Sequence, residues 1–207
     1  KAPMCGVPYH SAAVYISRLI DKGYKVAICE QVEDPALARG LVRREIVKIY
    51  TPGTVTEDNM LDMRKNNFLM SIYAFKDIYG IAVADITTGE FRATSVTYGN
   101  TTGKLFDEIA KYSPAEIVIN SLNTQVLIGE IRKRFHVYVT VLGEEDFSRE
   151  SAENIIEEYF SRDLLKGREY ELSINAAGAL LSYISSLQKV NAAHIRDIDF
   201  YRMEEYM

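Results

Sequence analysis

NFLMSIYAFKDIYGIAVADITTGEFRATSV, residues 67–96, is the stretch on which the fold turns. Phe68–Phe75 and residues 78–86 are apolar, β-branched runs, and 91–96 is a shorter third. Lys76-Asp77 and Thr87-Thr88-Gly89 supply turn chemistry between them, so the stretch predicts three consecutive strands. Asp85 is the one acid in the second run. Such an acid reads in two ways. It is a first ligand of a metal-dependent nuclease, or an acid at a strand end that faces solvent or pairs locally.

Downstream the pattern alternates. Thr101–Tyr112 predicts a helix with Leu105, Phe106 and Ile109 inward and Ser113-Pro114 as its stop. Glu116–Asn120 carries Ile117-Val118-Ile119, a buried strand. Residues 124–135 predict a helix through Val126, Leu127, Ile131 and Phe135; Val137, Val139 and Val141 alternate as a fifth strand; 148–160 predicts a helix with Ala152, Ile155, Ile156 and Tyr159 on one face. The order β-β-β-α-β-α-β-α, three antiparallel strands joined to two parallel ones with helices on both faces, predicts an α/β domain with a ribonuclease H-like mixed sheet.

Upstream, Ser11 is positioned to cap a helix running to about Lys22, with Ala12, Tyr15, Ile16 and Leu19 as its apolar face and Gly23 past its end. Residues 24–29 predict a strand covered on both sides. Asp34-Pro35 opens a short helix that Gly40 closes, and 41–50 predicts a second strand, stopped by Thr51-Pro52-Gly53-Thr54. This piece is too small to bury a core alone and reads as part of an α/β domain. The start at Lys1 rather than Met adds to the expectation of a fragment. Polar residues 54–66 predict a linker and 161–170 a second junction. Residues 173–191 then predict a long helix whose stripe, Ala177, Leu180, Leu181, Ile184 and Leu187, is expected to have no partner in the preceding domain and to open a third. The expected division is 1–53, 54–66, 67–168 and 169–207.

Composition narrows the function. No window nears the ~18 apolar residues of a membrane span, and the first residues lack a charged-then-apolar signal, so a cytoplasmic protein is expected. Cys5 and Cys29 match no zinc or redox spacing and are expected as reduced, buried thiols. Residues 1–53 hold eight Lys/Arg against five Asp/Glu, whereas 54–168 hold thirteen against eighteen and 169–207 three against six. A nucleic-acid contact is therefore sought in the first segment, where Arg43, Arg44 and Lys48 are the candidates for the DNA backbone. Strict alternation would set Arg43 on the opposite face from the other two.

Catalytic motifs are not found. Gly99-Asn100-Thr101-Thr102-Gly103-Lys104-Leu105 looks like a phosphate loop, but has one residue too few between its glycines and no Ser or Thr after the lysine; it reads as a loop and helix cap. Two-metal hydrolysis needs converging carboxylates. The first strand has no acid, the fourth has only Glu116 at its start, and Asp85 stands alone. His10, His136 and His194 fall in three different segments, and no third group orients Cys5 with His10.

Met4-Cys5-Gly6-Val7-Pro8-Tyr9-His10-Ser11, Val26-Ala27-Ile28-Cys29-Glu30-Gln31 and Ile49-Tyr50-Thr51-Pro52-Gly53-Thr54 occur in that order, with Arg43-Arg44-Glu45-Ile46-Val47 leading into the last. Ala82-Val83-Ala84-Asp85-Ile86-Thr87-Thr88-Gly89-Glu90 and Ala176-Ala177-Gly178-Ala179-Leu180-Leu181-Ser182-Tyr183 follow. Together they resemble the MutS family of bacterial DNA mismatch repair proteins, along the whole chain. The resemblance implies the end of a mismatch-recognition domain (1–53), a connector domain with a ribonuclease H-like fold and no nuclease activity (about 67–168), and the first helix of a core and lever domain. It implies a parent that binds mismatched duplex DNA as a homodimer, uses ATP and magnesium in a domain beyond this segment, and recruits MutL through the connector; no short motif marks the MutL-docking residues. The family's mismatch reader, a Phe-x-Glu that wedges into the minor groove, is implied to lie before this segment, so the chain reads as lacking it.

Overall fold

The computed structural model describes residues 6–34, 40–55, 66–160, 162–167, 171–188 and 195–203. The first piece holds helix α1 (Ala12–Ile20) and strands β1 (Val26–Gln31) and β2 (Arg44–Tyr50), which pair antiparallel as a two-stranded sheet. A 3-10 turn over Tyr9–Ser11 leads into α1; Ser11 stands at the N-cap position, but its side chain makes no capping bond. Helix α1 buries Ile16 and Ile20, with Ala12 packed alongside, while Tyr15 and Leu19 of the expected face are 46% and 42% exposed. A two-stranded ribbon is too narrow to cover a full apolar face, so only one i, i+4 row is buried. The same narrowness corrects the expectation for β1. Val26 and Ile28 are half-buried against α1, but Ala27 and Cys29 are exposed, so the strand is covered on one face and the Cys29 thiol is a surface group. Cys5, the short helix expected after Asp34-Pro35 and residues 56–65 of the expected linker lie outside the described residues.

The stretch 67–96 folds into the expected meander: β3 (Phe68–Phe75), β4 (Ile78–Asp85) and β5 (Glu90–Val96), antiparallel in sequence. Helix α2 (Thr101–Tyr112), β6 (Glu116–Asn120), helix α3 (Gln125–Arg134), β7 (Tyr138–Leu142) and helix α4 (Arg149–Tyr159) follow in the predicted order. Strand β6 lies parallel to β3, and β7 parallel to β6. The period-2 alternation of β3 and β4 sorts side chains between two cores. Met70, Ile72, Tyr79, Ile81 and Val83 face α2 and α3, together with Leu105, Ile109 and Ile131. Leu69, Ala82 and Ala84 face the other side, with Ala152 and Ile156 of α4. The result is a three-layer α/β domain on a mixed sheet. In the same sheet, Ser71 is fully buried and its hydroxyl has no hydrogen-bond partner.

Two features depart from the sequence reading. Helix α5 (Leu172–Gln188) is not an unpartnered stripe: Ile174, Ala176, Ala177, Leu180, Leu181 and Ile184 are all fully buried against the sheet and α4. Its bed is made of the smallest residues of the sheet, Gly80, Ala82 and Ala84 of β4 and Ala93 of β5, which let the helix backbone approach closely. A Cβ on Gly80 would lie 2.1 Å from the Leu172 carbonyl oxygen, and one on Gly178 would lie 2.3 Å from Ala152 of α4. The second departure is β8 (Asp199–Phe200), which pairs parallel with β5 and extends the sheet to the order β7-β6-β3-β4-β5-β8. Tyr201 continues this edge by donating its backbone N–H to the Ala93 carbonyl, 3.0 Å away, and the Thr94 hydroxyl donates to the Tyr201 carbonyl at 2.7 Å.

Candidate functional site at the junction of the two sheets

The turn after β2 is built by its own threonines. The Thr51 backbone N–H donates to the Thr54 hydroxyl (3.0 Å), the two hydroxyls lie 2.8 Å apart, and the Thr54 N–H closes the turn on the Thr51 carbonyl. Both threonines are fully buried. This geometry presses Gly53 against the six-stranded sheet, where a Cβ would meet Leu69 at 2.7 Å and Glu116 at 3.0 Å. Glycine is required there by close approach.

Glu116, at the start of β6 and fully buried, receives that turn. One carboxylate oxygen accepts the Gly53 N–H (3.2 Å). The other accepts the Thr140 hydroxyl of β7 (2.8 Å) and the Tyr183 phenol of α5 (2.6 Å). The Tyr183 oxygen in turn accepts from the Lys25 ammonium at 2.9 Å, and that ammonium also sits over the Tyr183 and Tyr138 rings. The phenol thus stands between a cation and an anion as both acceptor and donor. Burial, and then the adjacent Glu116 carboxylate, push the Tyr183 phenol far above its ordinary value, so it keeps its proton and remains a donor. A buried carboxylate is tolerable only when hydrogen-bonded, and three donors meet that need.

A second contact flanks the turn. The Asn67 side-chain amide donates to the Pro52 carbonyl (3.1 Å) and to that of Val55 (3.4 Å). The Asn67 backbone N–H reaches Asp85, 3.2 Å away. Asp85 closes β4 and is fully buried, and its other carboxylate oxygen accepts the Thr87 N–H (2.9 Å), the Thr87 hydroxyl (2.6 Å) and the Thr88 N–H (3.4 Å). Asp85 is therefore a turn-forming acid. Asp85→Ala is expected to orphan these donors and to lower the unfolding free energy by about 2 kcal/mol, read as an earlier midpoint in urea with an unchanged slope.

The other residues singled out by sequence are dispersed. Arg43 lies 3.5 Å from Glu45 on the surface. The β1–β2 register shifts by one residue between Ile28 and Cys29, leaving Val47 without an opposite residue. Lys48 pairs with Ile28 and Arg44 with Gln31, so the shift sets Arg44 and Lys48 on opposite faces of the ribbon, where alternation had put them together. The Lys48 ammonium rests over the Tyr50 ring. The three cations are not gathered on one face. In the loop at 99–104, the Asn100 side chain accepts the Gly103 N–H at 2.9 Å and caps α2. His10 and His136 are exposed in different segments, and His194 lies outside the described residues. Among the described residues no three His, Cys, Asp or Glu side chains converge to hold a metal ion.

A triplet of the Phe-x-Glu form is nevertheless present, which corrects the reading of the chain as lacking one. Phe106-Asp107-Glu108 lies in α2, but Phe106 packs in the core, and Glu108 is buried, accepting from the Tyr201 phenol and lying 3.3 Å from Lys111. Neither side chain reaches the surface as a wedge would.

A family model described as MutS domain II matches residues 67–196, and one described as MutS domain I matches residues 1–59. The chain belongs to the MutS family. Over its whole length it is 55% identical to the DNA mismatch repair protein MutS of Ruminiclostridium cellulolyticum, 53% to that of Acetivibrio thermocellus and 42% to that of Clostridium novyi. It covers 24%, 24% and 22% of those proteins, so it spans about a quarter of the length of the MutS relatives it matches. A solved structure of Fowlpox virus resolvase with Holliday junction DNA is 16% identical over 58% of this chain and 98% of that one, with a TM-score of 0.43, a likeness too slight to bear on fold or activity. The MutS domain II match extends past α5, in keeping with the burial of that helix on the sheet. Lys25 and Gly53 fall in the MutS domain I match, and Glu116, Thr140 and Tyr183 in the domain II match, so the buried carboxylate is where the two matched segments meet.

Proposed function

We propose that this chain is the joining segment of a mismatch repair protein: it transmits between a DNA-reading domain and an ATPase and performs no chemistry itself. The observation that carries the reading is the junction at Glu116, where a buried carboxylate binds the two MutS-matched segments to one another. The two acids that suggested a nuclease, Asp85 and Glu116, are each consumed by protein donors.

On this reading residues 1–53 belong to the mismatch-recognition domain, 54–66 form the linker, and the connector begins at 67. The boundary expected at 168 moves beyond α5, because the burial of that helix supports counting it with the connector rather than with the core and lever domain. Strand order supports a ribonuclease H-like sheet, with the meander β3-β4-β5 on one side and parallel β6 and β7 on the other. The whole protein would bind mismatched duplex DNA as a homodimer, hold ATP and magnesium in its ATPase domain, work in the cytoplasm, and recruit MutL through the connector. No helix among the described residues is long and apolar enough to cross a membrane. Arg43, Arg44 and Lys48 would add at most a phosphate contact, spread over both faces of the ribbon.

Gel-shift with matched and mismatched duplexes tests this. The chain is expected to bind both weakly and equally, and to leave labelled DNA and RNA intact with magnesium or manganese. A clear preference for the mismatch would overturn the reading of a segment without its reader; metal-dependent cleavage would favour the ribonuclease H-like nuclease instead.

A further inference from the structure

We infer that Lys25, Tyr183 and Glu116 form a releasable latch, which holds the N-terminal piece on the six-stranded sheet in the closed arrangement and lets it detach without unfolding either part. The inference rests on reading residues 1–53 and the connector as two joined units. Three observations carry it.

First, the two parts have separate cores. Ile16, Ile20, Tyr50 and Val55 form one apolar cluster, distinct from the two clusters that flank the six-stranded sheet. Ile49 packs on the larger core and Leu69 abuts Gly53. The Tyr138 ring of β7 also lies beside Gly23.

Second, the joining contacts are polar and come from both sides. Lys25 and Gly53 are contributed by the N-terminal piece, and Glu116, Thr140 and Tyr183 by the sheet and α5. Net hydrogen bonds are worth about 1 kcal/mol each, because water replaces them when they open. An interface built this way is strong enough to fix an orientation and weak enough to reverse.

Third, the sheet side is prebuilt. Thr140 and Tyr183 reach Glu116 from elements that the connector core already fixes, so the carboxylate keeps two donors when the Gly53 N–H leaves. The opened state does not strand a bare buried charge, which is what makes detachment affordable.

Hydrogen–deuterium exchange of the full chain tests the latch, comparing the wild type with Tyr183→Phe and Lys25→Met. Tyr183→Phe keeps the ring and removes both phenol bonds. Exchange in the peptide covering 49–55, which holds the Gly53 N–H that crosses the junction, is expected to accelerate about fivefold or more, the factor corresponding to loss of one such bond or two, while 26–31, whose amides pair within the ribbon, 68–85 and 116–120 hold steady. Lys25→Met, on the exposed side, is expected to act in the same direction by about twofold, and it decides the matter if Tyr183→Phe disturbs the connector. Acceleration confined to 49–55 supports the latch. Unchanged exchange there with Lys25→Met, or acceleration that spreads equally through β1 or through β3 and β4, overturns it. Mismatch preference or cleavage in the DNA assays would overturn the proposed function and leave this exchange pattern as it is.

Discussion

Gly80→Val is expected to unseat α5 and to cost about 3 kcal/mol or more, a large share of the 5–15 kcal/mol that ordinarily holds a domain together. The added Cβ would sit 2.1 Å from the Leu172 carbonyl oxygen and 2.9 Å from the Ser173 nitrogen, both backbone atoms that no rotamer change can clear. The start of α5 is tied to this spot, since the Ser173 N–H donates to the Ser95 hydroxyl of β5 at 2.9 Å. Lifting the helix would expose Ile174, Leu180, Leu181 and Ile184, each worth about 1.5–3 kcal/mol of burial. Differential scanning calorimetry would read a lowered, broadened transition. Gly129→Val is the control, because nothing lies within 4 Å of a Cβ at Gly129. An unchanged midpoint for Gly80→Val would mean that α5 is not seated on β4 in solution.

Glu116→Ala is the second large effect. It removes the acceptor of three donors at once: the Gly53 N–H, the Thr140 hydroxyl and the Tyr183 phenol. Each orphaned donor costs about 1–3 kcal/mol where water cannot reach it. Partial hydration through the opened junction should hold the total near 3 kcal/mol, measurable as a shift of the urea midpoint. Glu116→Gln should cost less, since the amide keeps one accepting oxygen. Equal losses for the two variants would mean that the oxygen the amide keeps, and so the bonds it accepts, contributes nothing.

The difference between what could be read from the chain and what could not follows from the range of the interactions. The strands Phe68–Phe75 and Ile78–Asp85 were legible because alternation and turn chemistry are local. Helix α2 was legible for the same reason, with its cap and its stop both within its own sequence. Helix α5 was legible as a helix but not in its placement. A helix apolar on nearly every side shows a stripe whichever way it is viewed, and the stripe does not say what covers it. Strand β8 has two residues, below the length at which alternation exists. The one-residue shift at Val47 leaves no mark in composition, yet it reverses the face of Arg44 relative to Lys48. Glu116 was visible as the lone acid opening an Ile-Val-Ile strand, which is a signal in itself: a carboxylate there must find donors. Its donors at Gly53 and Tyr183 stand 63 and 67 residues away, and no spacing rule reaches that far.

The positions of the two attachments decide how a displacement would cross this protein. The N-terminal piece holds β6 through the Gly53 bond to Glu116 and β7 through Lys25 over the Tyr138 ring, whereas residues 199–201 hold β5 on the opposite flank. Four strand intervals separate β6 from β8, about 19 Å at the usual spacing. A push entering at one flank and leaving at the other therefore runs crosswise to the strands. It loads the backbone ladders along their hydrogen bonds, with a packed helical layer on either face resisting any buckling.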